Sequence, residues 1–322
     1  TAMNNLAKAI MVTSDNEDGS KTLHIAFRGT DKKAKELSEF ALKSYLDMSA
    51  YYDCFKPLES AILEYAKDPK NKISKIDLSG HSLGGAVAEL LTARLLDMGV
   101  NSNQIETITF GAPAVGNKTF VDMYEPKMNL TRITMKGDIV KNLAQIANER
   151  FVQFNTNEVW AVSKLENDKF AHNMLLYFDR AIKNYYDSKE DIALATEDIK
   201  TCETYVAKPK YDFPNELQSE INYMNLALKN KLLKEDEDCF VDLSDDDLSS
   251  NVFQKAKALN AKYVVFYEFS ANKIKDSTSN KRYYIYGSKY IYNINGNLIR
   301  GFSATSDTKE MTVLQSVLYL EC

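Results

Sequence analysis

One short run constrains this chain more than any other. Ile73 to Leu78 is an apolar-rich stretch of strand length, Gly80-His81-Ser82-Leu83-Gly84-Gly85 follows, and Ala86 to Met98 reads as a strong helix. A strand that passes into a helix so quickly must turn sharply, and glycine is the residue that tolerates such backbone. The pattern Gly80-x-Ser82-x-Gly84 is that of a nucleophile elbow, in which the serine sits on the turn and its flanking positions leave no room for a Cβ. The turn also sets Ser82 at a helix N-terminus. Free N–H groups and the positive end of the helix dipole then face any oxyanion that develops there.

Glycine usage supports this placement. The 322 residues include only 12 glycines and 6 prolines, which excludes collagen-like and Gly/Pro-rich disordered chains. Nine of those glycines fall between Gly19 and Gly137, and none falls in residues 138–286. Tight backbone geometry is therefore concentrated in the first half.

Charge and cysteine usage remove other classes. Net charge is −5, with no basic excess of the kind that marks nucleic-acid binding. No apolar run reaches transmembrane length; Ala86 to Leu96 is interrupted by Glu89 and Arg94. Cys54, Cys202, Cys239 and Cys322 form no C-x-x-C or His/Cys cluster, so no metal site is expected. They are either free thiols or members of one or two bridges.

The alternation of elements gives the fold class. Thr22 to Phe27, Ile73 to Leu78, Ile105 to Phe110 and Leu130 to Met135 read as strands, with helices at Pro57 to Lys67, Ala86 to Met98 and Lys118 to Tyr124 between them. Phe151 to Phe154 and Glu158 to Val162 add two short strands, and Ala171 to Tyr186 a helix with Leu175, Phe178, Ile182 and Tyr185 on one face. Such alternation predicts an α/β domain with a mostly parallel sheet flanked by helices. A polar stretch from Asp187 to Lys200 places a boundary near residue 195, giving a domain over 1–195 and a smaller α+β domain over 196–322.

The second part has its own pattern. Leu217, Ile221, Met224, Leu228 and Leu232 line a long helix, and Ser250 caps the next one. Tyr263 to Phe269, Tyr283 to Asn293 and Asn297 to Thr305 read as strands of an antiparallel sheet, with Asn295-Gly296 as a two-residue hairpin turn. Thr308 to Leu320 is a final helix. The acids from Glu235 to Asp247 lack the glycine and closing Glu of an EF-hand loop and read as a solvated face. The tyrosines around Tyr283 to Tyr292 read as core and cross-strand pairs.

A serine nucleophile needs a base, and the base needs an orienting carboxylate. Three histidines are available. His24 lies within a strand, and His81 lies inside the elbow, where a sharp turn points it away from Ser82. His172 follows the last strand and fits the chain order Ser, Asp, His. For the acid, Asp138 follows Leu130 to Met135 through Lys136-Gly137. Glu125, Glu149, Glu158, Glu166 and Asp168 compete, but none directly follows such a strand. The N–H of Leu83, the residue after the nucleophile, is the usual donor to an oxyanion.

Taken together, Phe27-Arg28-Gly29-Thr30, the elbow Ser79 to Ala86 and Thr109-Phe110-Gly111-Ala112-Pro113-Ala114-Val115-Gly116-Asn117 resemble the class 3 (fungal-type) lipases. Arg132 to Asp138 and Ala171-His172 resemble that family's acid strand and histidine segment, so the likeness spans about residues 8–185. The resemblance implies an α/β-hydrolase fold and a serine-dependent lipase or esterase working through an acyl-enzyme, with a Ser82-His172-Asp138 triad, Thr30 and Leu83 as the oxyanion hole, and no cofactor. It implies a lipid or ester substrate, transient contact with a lipid interface, and secretion or export. Residues 31–49, charged where the family has an apolar lid, read equally as lid or surface helix. Tyr51-Tyr52-Asp53-Cys54-Phe55 stands where the family has a His-Gly-Phe entrance.

Two other readings accompany this one. The appended 196–322 domain suggests a phospholipase A-type toxin or effector that uses it for delivery or for binding a protein partner. A silent hydrolase fold used for binding is the reading from outside enzymology.

Overall fold

The computed structural model describes residues 8–29, 56–147, 149–161, 171–188, 201–236, 238–244, 249–274 and 282–320. The chain gathers into two compact units. One is Thr1–Val162 with Phe170–Tyr177; the other is Ser163–Lys169 with Phe178–Cys322. The boundary expected near residue 195 falls in 189–200, outside the described residues. Between Tyr177 and Phe178 the division falls inside a helix, Met174–Asp187.

The first unit is built on a six-stranded sheet: β1 (Ala9–Asp15), β2 (Lys21–Phe27), β3 (Ile73–His81), β4 (Ile105–Phe110), β6 (Leu130–Met135) and β8 (Glu158–Trp160), in that spatial order. The strands β5 (Gly116–Asn117) and β7 (Phe151–Val152) pair with each other outside it. From β2 to β8 every neighbour is parallel, which is the mostly parallel sheet expected from the alternation. Their carboxyl ends therefore share one edge, where functional groups collect in open parallel sheets.

The sequence reading began the sheet at Thr22 and missed β1, which pairs antiparallel with β2 from Ala9↔Phe27 to Asp15↔Lys21. Its residues after Ala9 are exposed, including Ile10 and Val12, so it lacks the alternation that identifies a half-buried strand. In β2 that alternation is present, with Leu23, Ile25 and Phe27 all buried.

Helix α2 (Leu83–Asp97), which follows α1 (Lys56–Lys67), is apolar on nearly every side, and it is buried on nearly every side. Ala86, Val87, Ala88, Leu91 and Leu95 all lie in the main core. A helix with no polar face belongs in an interior. Each fully buried leucine contributes about 1.5–3 kcal/mol. This packing fixes the helix that carries the elbow.

The second unit has strands in the order β11 (Cys239–Val241), β9 (Thr204–Val206), β12 (Tyr263–Lys273), β13 (Tyr283–Asn293) and β14 (Leu298–Asp307), with β10 (Lys210–Asp212) beside β12. The expectation of an antiparallel sheet holds only for β12, β13 and β14. The three-residue strands β9, β10 and β11 pair in parallel and make the sheet mixed. Strands that short carry no readable period.

Three local expectations are corrected. The β13–β14 connection has four residues, Ile294 to Asn297, not two. Asn293 N–H bonds the Asn297 carbonyl, Gly296 N–H bonds the Asn293 carbonyl, and Gly296 takes φ +85°. Helix Ser249–Ala258 starts before Ser250, which is thus inside it and not its cap. The last helix, Val313–Tyr319, starts later than expected because Thr312 and Gln315 form a capping box there.

Candidate active site

Ser82 caps α2 with φ 59° and ψ −130°, a backbone conformation that L side chains rarely adopt. Neighbouring glycines permit it. A Cβ on Gly80 would lie 2.3 Å from the Gly84 carbonyl oxygen, and one on Gly84 would lie 2.1 Å from that of Phe27. The Ser82 N–H bonds the Phe110 carbonyl at 2.9 Å, tying the elbow to the end of β4.

Two other segments meet there. A Cβ on Gly29, just past β2, would lie 3.2 Å from Ser82 Cβ, so this strand end abuts the serine. Thr30, the expected second oxyanion donor, is outside the described residues, as are 31–49 and 51–55. Leu83 is buried as the first residue of α2, where an N–H has no intrahelical acceptor.

Asp138 and His172, 34 residues apart, are brought together: His172 Nδ1 lies 2.8 Å from Asp138 Oδ2, and both are buried. An ionised carboxylate only accepts, so Nδ1 carries a proton, and in the neutral imidazole Nε2 keeps its lone pair. Burial pulls the Asp138 carboxyl upward, but the hydrogen bond and charge of His172, then the Tyr177 hydroxyl and the Val140 amide, hold it below its ordinary value.

One residue of this cluster was not read from sequence. Tyr177 donates its hydroxyl to Asp138 Oδ2 at 2.6 Å and accepts from the Met135 N–H at 2.9 Å. Burial, and then Asp138, push that hydroxyl far above its usual range, so it remains a donor. The expected apolar face of the helix, Leu175, Phe178, Ile182 and Tyr185, is only partly right. Phe178 and Tyr185 are exposed, while Leu176, Tyr177, Asp179, Ile182 and Tyr186 are buried.

His81 also has a task. Its Nε2 donates to the His172 carbonyl at 2.8 Å, and the two rings lie 4.4 Å apart. It braces the backbone of His172. His24 lies elsewhere, bonded to Ser14 at 2.8 Å and paired with Asp77 at 2.9 Å across the strands β1, β2 and β3.

Gly111, at φ +58°, closes the site from below. A Cβ there would meet Asp138 Oδ2 at 2.6 Å, the Tyr177 hydroxyl at 2.8 Å and His172 Nδ1 at 3.0 Å. The Gly-Ala-Pro turn after β4 is thus the floor of the Asp138–His172–Tyr177 cluster. Of the competing acids, Glu158 accepts from the Trp160 indole at 2.5 Å and Glu125 binds the Asn155 amide at 2.7 Å, so both are engaged away from His172. Glu166 and Asp168 are outside the described residues. Among the described residues no group of three His, Cys, Asp or Glu side chains is placed to hold a metal.

Comparison with known proteins points to a segment inside the one the motifs mark out, and it ends before His172. Residues 19–148 match the family model for lipase (class 3). The chain is 31% identical over 138 residues to the lipase ZK262.3 of Caenorhabditis elegans, covering 39% of each protein. It is 30% identical over 142 residues to the chloroplastic phospholipase A1-Igamma1 of Arabidopsis thaliana, covering 39% of this chain and 28% of that one. The chain thus spans well under half the length of these relatives. The solved native Rhizomucor miehei lipase propeptide complex overlaps 53% of this chain and 66% of its own, at 20% identity and TM-score 0.34.

Proposed function

We propose, with the class 3 lipase match of residues 19–148 as the premise, that this chain hydrolyses carboxylic esters of lipids through an acyl-enzyme. The observation that carries the reading is the buried His172–Asp138 pair at 2.8 Å, with the His172 ring 4.4 Å from that of the residue before Ser82. In this reading Ser82 Oγ attacks the ester carbonyl as His172 Nε2 takes its proton. Asp138 stays ionised and holds the imidazolium. The Leu83 N–H, with that of Thr30, binds the oxyanion, a contribution of about 10²–10³ in rate per donor. His172 then returns the proton to the leaving alcohol, and water repeats the sequence on the acyl-serine. Neither half-reaction needs a metal or an organic cofactor.

Similarity to a phospholipase A1 keeps a second substrate class in view, that of a phospholipase A-type effector whose residues 196–322 bind a partner. The two are separated by fatty-acid release from acylglycerol emulsions and from phosphatidylcholine vesicles, each compared with Ser82→Ala. Release from acylglycerol alone supports the lipase reading, and release from phospholipid the other. No Ser82-dependent release from either ester overturns both and leaves the silent binding fold. Contact with a lipid interface and secretion or export belong to the same proposal. Among the described residues no helix is long and apolar enough to cross a membrane.

A further inference from the structure

A charged pair lies inside the first unit, behind the elbow, where neither half-reaction uses it. Glu89, fully buried on α2, has Oε1 3.3 Å from Arg132 Nε and accepts the Thr109 hydroxyl at 3.1 Å. Arg132, buried on β6, donates Nη1 to the Phe154 carbonyl at 3.0 Å and Nη2 to the Ala112 carbonyl at 3.3 Å. Glu89 Oε2 is buried with no hydrogen-bond partner.

Desolvation makes such a pair a poor source of stability, and well-packed apolar side chains of similar volume often serve as well or better. Its place in the fold suggests another use. Glu89 rides on the helix that Ser82 caps, seven residues further on. Arg132 lies six residues before Asp138 on the strand that leads to it. Ala112 belongs to the Gly111-Ala112 turn, and a Cβ on Gly111 would touch Asp138, Tyr177 and His172. The guanidinium therefore joins the nucleophile helix, the acid strand and the turn beneath the Asp138–His172 pair.

We infer that Glu89 and Arg132 are positioning residues that hold the Gly111-Ala112 turn, and through it the Asp138–His172 pair, in register with Ser82. This rests on the triad reading above. Planar Nη donors reach two carbonyls at once, and a lysine in that position does not. Loss of the register slows proton transfer without altering where the substrate binds, so kcat falls and KM does not.

The experiment compares wild type with Arg132→Lys, Glu89→Gln and the apolar double variant Glu89→Met/Arg132→Met. It measures kcat and KM on a soluble p-nitrophenyl ester, the rate of fluorophosphonate labelling, and melting temperature. The expected result is a fall in kcat and labelling rate of tenfold or more in the double variant and in Arg132→Lys, with KM unchanged. Glu89→Gln keeps the shape and the Thr109 contact and falls by a smaller factor of the same kind. The double variant is expected to keep its melting temperature while losing kcat, a split that a merely structural pair does not produce. Wild-type kcat in the double variant or in Arg132→Lys overturns the inference. If the double variant does not fold, Arg132→Lys decides: wild-type kcat there overturns it. Ser82→Ala is the control for the premise. Turnover or labelling that survives that substitution refutes the triad reading, whereas normal kinetics in the Glu89 and Arg132 variants alone refute only the positioning role.

Discussion

The Tyr177 hydroxyl lies 2.6 Å from Asp138 Oδ2, the same oxygen that His172 Nδ1 approaches to 2.8 Å. One carboxylate oxygen thus receives two donors, while Oδ1 accepts the Val140 N–H at 2.9 Å. Asp138 is fixed from three directions before any substrate arrives. Electrostatic preorganisation of this kind costs nothing at the moment of reaction.

Tyr177→Phe removes one of those donors and leaves the Met135 N–H without its acceptor. A buried group left unpartnered costs about 1–3 kcal/mol. The variant is expected to melt several degrees lower and to lose part of its kcat, with KM unchanged. Thermal unfolding and steady-state kinetics on one preparation check both.

Asp138→Asn keeps the shape of the side chain and removes its charge. The amide no longer specifies the Nδ1–H tautomer of His172, and kcat is expected to fall by about 10⁴. The same residue sets part of the acid stability. Its folded-state pKa is lowered, so it adds stability above the ordinary carboxylate range and loses that contribution as pH falls through the lower folded-state value. Wild type minus Asp138→Asn, followed by urea unfolding from pH 7 downward, is expected to shrink in that acid range.

Glu89 behaves in the opposite sense. Burial raises its carboxyl from 4.5 to about 7, and Arg132 and Thr109 only partly offset that. Between those values the folded chain binds more protons than the unfolded one. The contribution of Glu89 is therefore greatest below about 4.5 and is lost as pH rises through about 7, on the order of 3 kcal/mol at 1.36 kcal/mol per unit. Glu89→Gln is expected to flatten the stability profile across that window. A profile unchanged by the substitution contradicts the assignment.

Gly84→Ala places a Cβ 2.1 Å from the Phe27 carbonyl oxygen, where backbone cannot yield. Gly99→Ala, at φ +84° with nothing within 4 Å, strains only its own backbone. The first is expected to abolish folding of the elbow and all labelling of Ser82. The second is expected to cost on the order of 1 kcal/mol and leave labelling intact. Fluorophosphonate labelling of both variants separates the two effects.

Much of this site is written in local sequence. The elbow is legible because its motif is contiguous in sequence between a strand and a helix, although Gly84 answers to the distant Phe27 carbonyl, and the parallel sheet because β3, β4 and β6 alternate with helices. His172 and Asp138 follow from the order of groups along the chain. Tyr177 is not legible that way, because its role depends on a contact across 39 residues that no periodicity encodes. The same holds for His81, which looks inert beside Ser82 until its ring is found against the His172 backbone. β1 was missed because its exposed face hides its period, and β9 to β11 because three residues are too few to show one.

The most direct measurement of the central claim is a fluorophosphonate reaction with wild type and Ser82→Ala, with the modified peptide identified by mass spectrometry. The expected result is a single adduct on Ser82 in wild type, no adduct in Ser82→Ala, and labelling slowed by several orders of magnitude in His172→Ala. Equal labelling of wild type and Ser82→Ala, or an adduct on another serine, contradicts the assignment of Ser82 as the nucleophile.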